Sequence, residues 1–579
     1  MPPSGGLILV ALTAVNLVNF CDRGITPGAP AEFSHFINET LDVPLEETGT
    51  WLGALVSSFI VCYSIASLIF GKLMQIAPKF RLLSGGLIVW TLALFGSGVA
   101  YFLPRDRFGF WWFFCFRALS GVGEAAFQCI IPPYVEDFAP PGKKSLWLGA
   151  FYTAIPCGTA LGYLYGSILA PSPPRSIGWG WAYVIEGFAM LPCAIAMAWL
   201  PPADRLLARR TATAAMRPAQ SAPLLSRAPP LPPRPVGTVA ELPPPEGADA
   251  DEEVPPSLLA QVSWLLCCAP YVLLVLGYAA NTATVMGIST FAANFLFSLG
   301  LLHSELNASS TFGLCAALGG MLGTPLGGVL TDIGVRWSLR TANVSIKDGG
   351  ERSRHIEMRS ILGTITVMIF IASALIVGSV VLLYFGRYRL PFLILLVLGI
   401  ATTYATASGI SRVAMLLVPM PMRAFALALL TLNIHLWGDV PSPPVIGAIG
   451  GAWAPSCMGT PQPACLGANP DDEDQPYTHD QEGLLNVLLV AALYMFTSAI
   501  FWAVAYALLA LRTRKLVERT VERTVEHSGP WRIVGESTAT APLHAGTLSS
   551  HPGRAAPCIN GARHQRQEQH GGPEAEPSG

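Results

Sequence analysis

Charge is what this chain has least of. Only 12% of its residues are Asp, Glu, Lys or Arg, about half the share of a soluble globular domain. The formal net charge is −2, and no basic stripe interleaved with aromatics occurs, so nucleic acid is not an expected partner. Metal-ligand spacing is missing too. The twelve cysteines are scattered, mostly in apolar runs, and Cys267-Cys268 is a bare pair where a small hydrophobe suffices. There is no glycine loop to cradle phosphate and no nucleophile–base set. The expectation is a protein that is not an enzyme and holds neither a metal nor an organic cofactor.

What fills the chain is apolar sequence, 52% of it. Windows such as 84–103, 361–384 and 484–511 carry no charge at all, and each is long enough to cross a bilayer core of about 30 Å. Hydropathy predicts twelve spans: 5–26, 50–71, 82–103, 110–133, 146–170, 179–200, 264–298, 311–331, 361–385, 390–418, 424–450 and 484–511. The long seventh window leaves room for an interfacial turn. The fold class is an all-α polytopic membrane protein. The opening run MPPSGGLILVALTAVNLV has no basic leader or cleavage site, so it reads as a retained first span.

The connections sort by charge. Of 35 Lys and Arg, five (Arg105, Arg107, Arg175, Arg387, Arg389) fall on one side and three (Arg23, Arg117, Arg412) at or within spans, leaving 27 on the side of the termini. Short basic loops stay in the cytoplasm, so both termini are expected there. The sequons at Asn38 and Asn307 then face the far side, where glycan is added, and the one at Asn343 does not. Cys457 and Cys465 lie in a far-side loop, CMGTPQPAC, where a disulfide and a chance pair are both open readings.

Composition divides the rest. Residues 1–200 hold six spans and 258–511 hold six more. Between them, 201–257 contains RAPPLPPRP and ELPPPEGADADEE, a proline-rich stretch without apolar periodicity that reads as a disordered cytoplasmic linker. The tail 512–579 opens with a charged helical pattern, RTRKLVERTVERTVEHSG, and then reads as disordered. EEVPPSLL misses the spacing of an acidic dileucine signal by one residue.

Against this apolar background a few ionisable residues stand out, each costing about 2.5–3.5 kcal/mol at mid-membrane unless it faces a cavity or a partner. They are Asp22 and Arg23 in the first span, Arg117 and Glu124 in the fourth, and His435 and Asp439 in the eleventh. Arg117 and Glu124 are two turns apart on one helix face, about 10.5 Å along the axis. Each therefore needs a partner from another helix, for which Asp22 or Arg23 is the obvious source. His435 and Asp439 are four apart and can touch, and Pro441 then interrupts the span. Structural ion pairing is the competing reading of these sets. For Glu186 and Arg412, a position near the interface is the expectation. Glycines at four-residue spacing, Gly158, Gly162 and Gly166 in the fifth span and Gly319, Gly323 and Gly327 in the eighth, permit close helix approach, either static or sliding.

Four blocks in order carry a resemblance: NFCDRGITPGAP, RALSGVGEAAF with PPYVEDFAPPGKKS, FYTAIPCGTALGYLYGS, and HLWGDVPSPPVIGAI. They are similar to the spinster branch of the major facilitator superfamily over nearly all of 5–511. The resemblance implies two six-helix bundles with a substrate cavity between them and rocking alternating access. It also implies a lysophospholipid or sphingosine phosphate as cargo, proton coupling in some members, and residence in late endosome, lysosome or plasma membrane. Carried onto matching positions, it assigns proton coupling to Asp22 and Glu124. Substrate binding falls to Arg23, Arg117, His435, Asp439 and Ser442. Gating falls to Asp332 and the position of Gln75, and the spacing of Gly158 and Gly162 adds them as gating candidates. The chain departs from the superfamily loop signature Gly-x-Leu-x-Asp-Arg, for GKLMQIAPKFR has Gln75 and Ile76 where Asp and Arg belong, and FAANF lacks the expected Trp and Pro.

The function expected from all this is a monomeric secondary transporter of an amphipathic lipid, with the proton as coupling ion. The alternatives are a transporter of a small organic anion or sugar-like solute, and a membrane sensor or scaffold that binds without moving its ligand.

Overall fold

In a bilayer core no water is available to backbone amides, so a spanning segment must satisfy them internally. Among the described residues of the computed structural model every regular element is helical. Those residues are 5–74, 77–138, 144–199, 258–344, 351–418, 422–458, 463–466 and 476–527. The linker 201–257, the tail beyond 527 and the gating position Gln75 lie outside them.

The twelve crossings are helix 1 (Gly5–Gly28), helix 2 (Thr48–Leu73), helix 3 (Lys79–Val99), helix 4 (Arg107–Phe138), helix 5 (Lys144–Tyr152 and Ala154–Leu169) and helix 6 (Trp179–Trp199) in the first half. The second half has helix 7 (Ala269–Ser298), helix 8 (Glu305–Thr341), helix 9 (Glu351–Phe385), helix 10 (Arg389–Ala405 and Ala407–Leu416), helix 11 (Arg423–Ile434 and Ser442–Trp453) and helix 12 (His479–Tyr494 and Phe496–His527). Ahead of helix 7, Leu258–Cys267 forms a separate helix and the chain turns at Cys268, the interfacial turn that the long seventh window allowed. Polar caps mark helix starts: the Ser304 hydroxyl accepts from the Asn307 amide, and Thr478 and Gln481 form a reciprocal capping box. The charged pattern after 511 continues helix 12 to His527.

Ten of these crossings are long and apolar enough to span as single runs. The other two, helices 5 and 11, are broken by proline. In helix 5 the Pro156 ring excludes the carbonyl four residues back, at Tyr152, and the helix parts at Thr153. In helix 11 the turn His435–Asp439 is a π-helix, followed by Pro441, Pro443 and Pro444. Pro444 has no amide for the Val440 carbonyl, and the Ser57 hydroxyl of helix 2 donates to it instead at 2.6 Å. Two interrupted helices, each fifth in its half, are the sequence mark of a site between repeats.

With twelve crossings, the two ends of the described chain share one face. The halves meet from the opposite, far face down to mid-membrane. A Cβ at Gly53 would overlap the Pro443–Pro444 backbone, one at Gly447 would strike the Gly49 backbone, and one at Gly49 would press on Met458. Gly313 lies against Ala160 and Gly320 against Pro156. Ser309 donates to the Gly28 carbonyl at 2.8 Å, and Glu305 accepts from the Ala31 amide at 3.0 Å. The lowest named contact is the Tyr63 ring, 5.6 Å edge-on to His435.

A 12-residue helix, Pro30–Leu41, follows helix 1 on the far face, with proline at its start and Asp42 in the left-handed region at its end. Its Phe33 and Phe36 pack on Phe113 and Trp179 at 5.0–5.8 Å and close the far end of the first half.

Candidate functional site

The buried charges of helices 1 and 4 pair as their spacing requires. Arg117 donates to Asp22 at 2.7 Å, with the pair's side chains 6% and 0% exposed. Two turns on, Glu124 is fully buried and its Oε1 accepts from Arg23 Nε at 2.9 Å, from Arg23 Nη2, and from the Asn19 amide at 2.8 Å. Helix 2 approaches helix 4 at Gly121, where a Cβ would strike the Phe59 carbonyl, and this brings Phe59 up to both pairs. Phe59 lies under both guanidinium groups, 5.0 Å from Arg23 and 5.5 Å from Arg117. Phe20 and Tyr63 complete the cage around Arg23 at 4.6 and 4.9 Å, and Tyr183 flanks Arg117 at 5.2 Å.

The two ion pairs differ in access. Asp22–Arg117 is sealed. Arg23 keeps a fifth of its side chain exposed, and its Tyr63 neighbour is the residue that touches His435 of the other half. In the π-turn, His435 Nδ1 lies 2.5 Å from Asp439 Oδ2. Glu124, Arg23, Tyr63, His435 and Asp439 therefore form one continuous chain across the boundary between the halves. Neither Tyr63 nor Ser57 carries a sequence signal, since one aromatic and one hydroxyl in an apolar helix have no periodicity to betray them. The Gly49/Gly53 pair at four-residue spacing was a readable mark of the same crossing.

Other expected site residues sit elsewhere. Ser442 takes no part in the charge pairs; its hydroxyl has no partner and it lines an apolar cavity of about 380 Å³ between helices 7, 11 and 12 with Val445, Ile446 and Tyr494. Gly158 and Gly162 face helix 1 of their own half, at Leu17, Phe20 and Cys21, rather than the boundary between halves. Gly323 and Gly327 face helix 10 in the same way. Asp332 is half-exposed in the part of helix 8 towards the face of the termini, and Arg412 bridges it at 2.7 Å to Glu357 at 2.6 Å.

Glu186 departs from the sequence expectation. Instead of sitting near the interface it is 4% exposed, one turn past Tyr183 and within electrostatic reach of Asp22 and Arg117. Hydropathy gives the depth of a span but not the direction in which its one charge points.

On the far face, Cys457 and Cys465 are joined in a disulfide. Asn307 is exposed in the first turn of helix 8. Asn38 lies in the short far-face helix and donates to the Val43 carbonyl at 2.8 Å, a bond that a glycan would displace.

Chemically, the arrangement offers a partly exposed cation beside the boundary between two halves, held by one buried carboxylate. Comparison with known proteins agrees with that design. Residues 12–443 match the family model of the Major Facilitator Superfamily. The chain is 27% identical over 461 residues to the probable sphingolipid transporter spinster homolog 1 of Arabidopsis thaliana, covering 76% of this chain and 82% of that protein. It is 34% identical to protein spinster homolog 1 of Rattus norvegicus over 161 residues, 28% of each chain. Its fold is similar to the crystal structure of a bacterial homolog of the human lysosomal transporter spinster, inward-facing and unoccupied, with TM-score 0.59 at 18% identity, covering 89% of this chain and 99% of that one. The chain belongs to the major facilitator superfamily, is similar to its spinster proteins, and is a multi-pass membrane transporter.

Proposed function

We propose that this transporter moves an amphipathic lipid with a phosphate-bearing headgroup, a lysophospholipid or sphingosine phosphate, by alternating access coupled to protons. The observation that carries the reading is Arg23. It is the one cation of the buried cluster with part of its side chain exposed, it stands where the halves meet, and a single carboxylate holds it. The planar guanidinium fork takes two phosphate oxygens as readily as a carboxylate, so a phosphate competes directly with Glu124 for it.

The mechanism follows from charge balance. When Arg23 turns to the lipid phosphate, the Glu124 carboxylate is left buried without its cation. A buried unpaired carboxylate takes up a proton. Binding of the anionic head thus brings one proton with it. Neutral Glu124 no longer holds Arg23 on the helix 4 side, which loosens the Tyr63–His435 contact and biases the halves to rock. The aromatic cage of Phe20, Phe59 and Tyr63 and the apolar helix faces accommodate the adjoining hydrocarbon. With both termini in the cytoplasm, the conformation described here, joined on the far face, is the one that opens inward. The monomer is sufficient for this cycle, and late endosome, lysosome or plasma membrane are the membranes that supply such lipids.

Competition tests the substrate class. Unlabelled lysophosphatidylcholine and sphingosine phosphate are expected to displace a bound fluorescent lysolipid from the purified protein, and Arg23→Gln to abolish that binding. Displacement by a sugar or a small dicarboxylate, with none by either lipid, would replace the lipid reading with that of a soluble solute.

A further inference from the structure

Three carboxylates of the first half lie near one another, yet only two have a cation. Arg117 is committed to Asp22 and Arg23 to Glu124. Glu186 of helix 6 is 96% buried and neither of its carboxylate oxygens accepts a formed hydrogen bond, although the Asp22 backbone comes close. Its ionisable surroundings are Cys21 and Asp22 from helix 1, Arg117 and Glu124 from helix 4, Tyr165 from helix 5 and Tyr183 on its own helix. Helix 3, the element packed most closely on helix 6, has ionisable side chains only at its start, Lys79 and Arg81; the turn after it places Tyr101 against Trp179 and Gly180, at the start of helix 6. An ionised Glu186 would be a buried charge with every neighbouring cation already engaged, which apolar surroundings do not permit.

Arg117 has somewhere to turn. Its guanidinium lies 5.2 Å over the Tyr183 ring, and Tyr183 and Glu186 are three residues apart on the same face of helix 6. The Tyr183 hydroxyl is held by Thr26 at 3.0 Å, which fixes the ring as a platform between the two carboxylates.

We propose that Glu186 is a further proton-carrying site of the transport cycle, protonated in the conformation described here and exchanging its proton with Asp22 as Arg117 changes partner. Before the exchange, Asp22 is a carboxylate paired with Arg117 and Glu186 is a carboxylic acid. Afterwards, Asp22 holds the proton and the Glu186 carboxylate holds Arg117. One proton moves from Glu186 to Asp22, the guanidinium moves the other way, and net charge is unchanged. Asp22 adjoins Arg23 in helix 1, so the transferred proton arrives beside the pair that meets the substrate. The inference rests on the proton-coupled reading of that pair.

The test uses the full-length protein in liposomes, with infrared difference spectra between neutral and alkaline pH and gradient-driven uptake of lysophosphatidylcholine. A protonated-carboxyl band at neutral pH is expected in the wild type, retained in Glu124→Gln and lost in Glu186→Gln. Gradient-driven uptake should fall about tenfold in Glu186→Gln, the size of an ordinary coupling between sites, with binding of the lysolipid unchanged. If Glu186→Gln does not reach the membrane, Glu186→Met supplies the same loss of the band. A band and a gradient response that survive in both variants overturn the assignment, and they leave the proton-coupled reading standing if Glu124→Gln removes the gradient response. If Glu124→Gln also keeps the full response, proton coupling fails and the Glu186 inference falls with it.

Discussion

The Asp22–Arg117 pair allows an asymmetric prediction. Both side chains are buried, at 2.7 Å, and Arg117 also has aromatic faces at Phe59 and Tyr183 whereas Asp22 has no other cation. Arg117→Gln leaves a bare carboxylate inside the first half, at a cost of about 3–5 kcal/mol. Asp22→Asn leaves a guanidinium that keeps two cation–π contacts, each contributing about 0.5–2 kcal/mol, so its net cost is about 2–3 kcal/mol. The double variant has no buried charge left unpaired and should recover to within about 1 kcal/mol of wild type, with the non-additivity that adjacent partners show. Unfolding midpoints of the purified protein in one detergent should rank wild type, double variant, Asp22→Asn, Arg117→Gln. Lipid uptake should be lost in all three, which separates the role in transport from the role in stability. A double variant as unstable as Arg117→Gln alone, or an Arg117→Gln midpoint equal to wild type, would refute the charge-balance reasoning.

Three further perturbations probe the boundary between the halves. Ser57→Ala strips the Val440 carbonyl of its donor, costing the far-closed conformation about 1–3 kcal/mol; spin labels at positions 46 and 452 should report a longer mean distance, and an unchanged distance would argue against this bond. Gly53→Val places bulk against the Pro443–Pro444 backbone, so the same label pair should lose its short-distance population entirely while the protein still folds. Cys457→Ser opens a loop of sequence separation 8 and should lower stability by about 2–3 kcal/mol; wild type with reductant should unfold at the variant's midpoint, and equal midpoints in all conditions would remove the disulfide's role.

Much of this was legible because lipid imposes strict rules. A charge in an apolar run must find a partner, so Arg117 and Glu124, two turns apart, pointed to helix 1 before any geometry was known. Pro441 likewise announced freed backbone groups, but not which helix would serve them; only the fold brings Ser57 there. The burial of Glu186 was not legible, because one charge in one span carries no facing information. The Pro30–Leu41 helix is too short for hydropathy to register. For Gly158 and Gly162, spacing announced close approach but could not say whether the neighbour was helix 1 of the same half or a helix across the boundary.

The central claim is that Arg23 trades Glu124 for the phosphate of a lipid and that the trade moves the lipid across the membrane. Uptake of labelled lysophosphatidylcholine into proteoliposomes with and without a proton gradient measures it most directly. The account predicts net uptake that the gradient accelerates, and its loss in both Arg23→Gln and Glu124→Gln. Lipid that binds the wild-type protein but never crosses, or crosses equally well without Arg23, would contradict it.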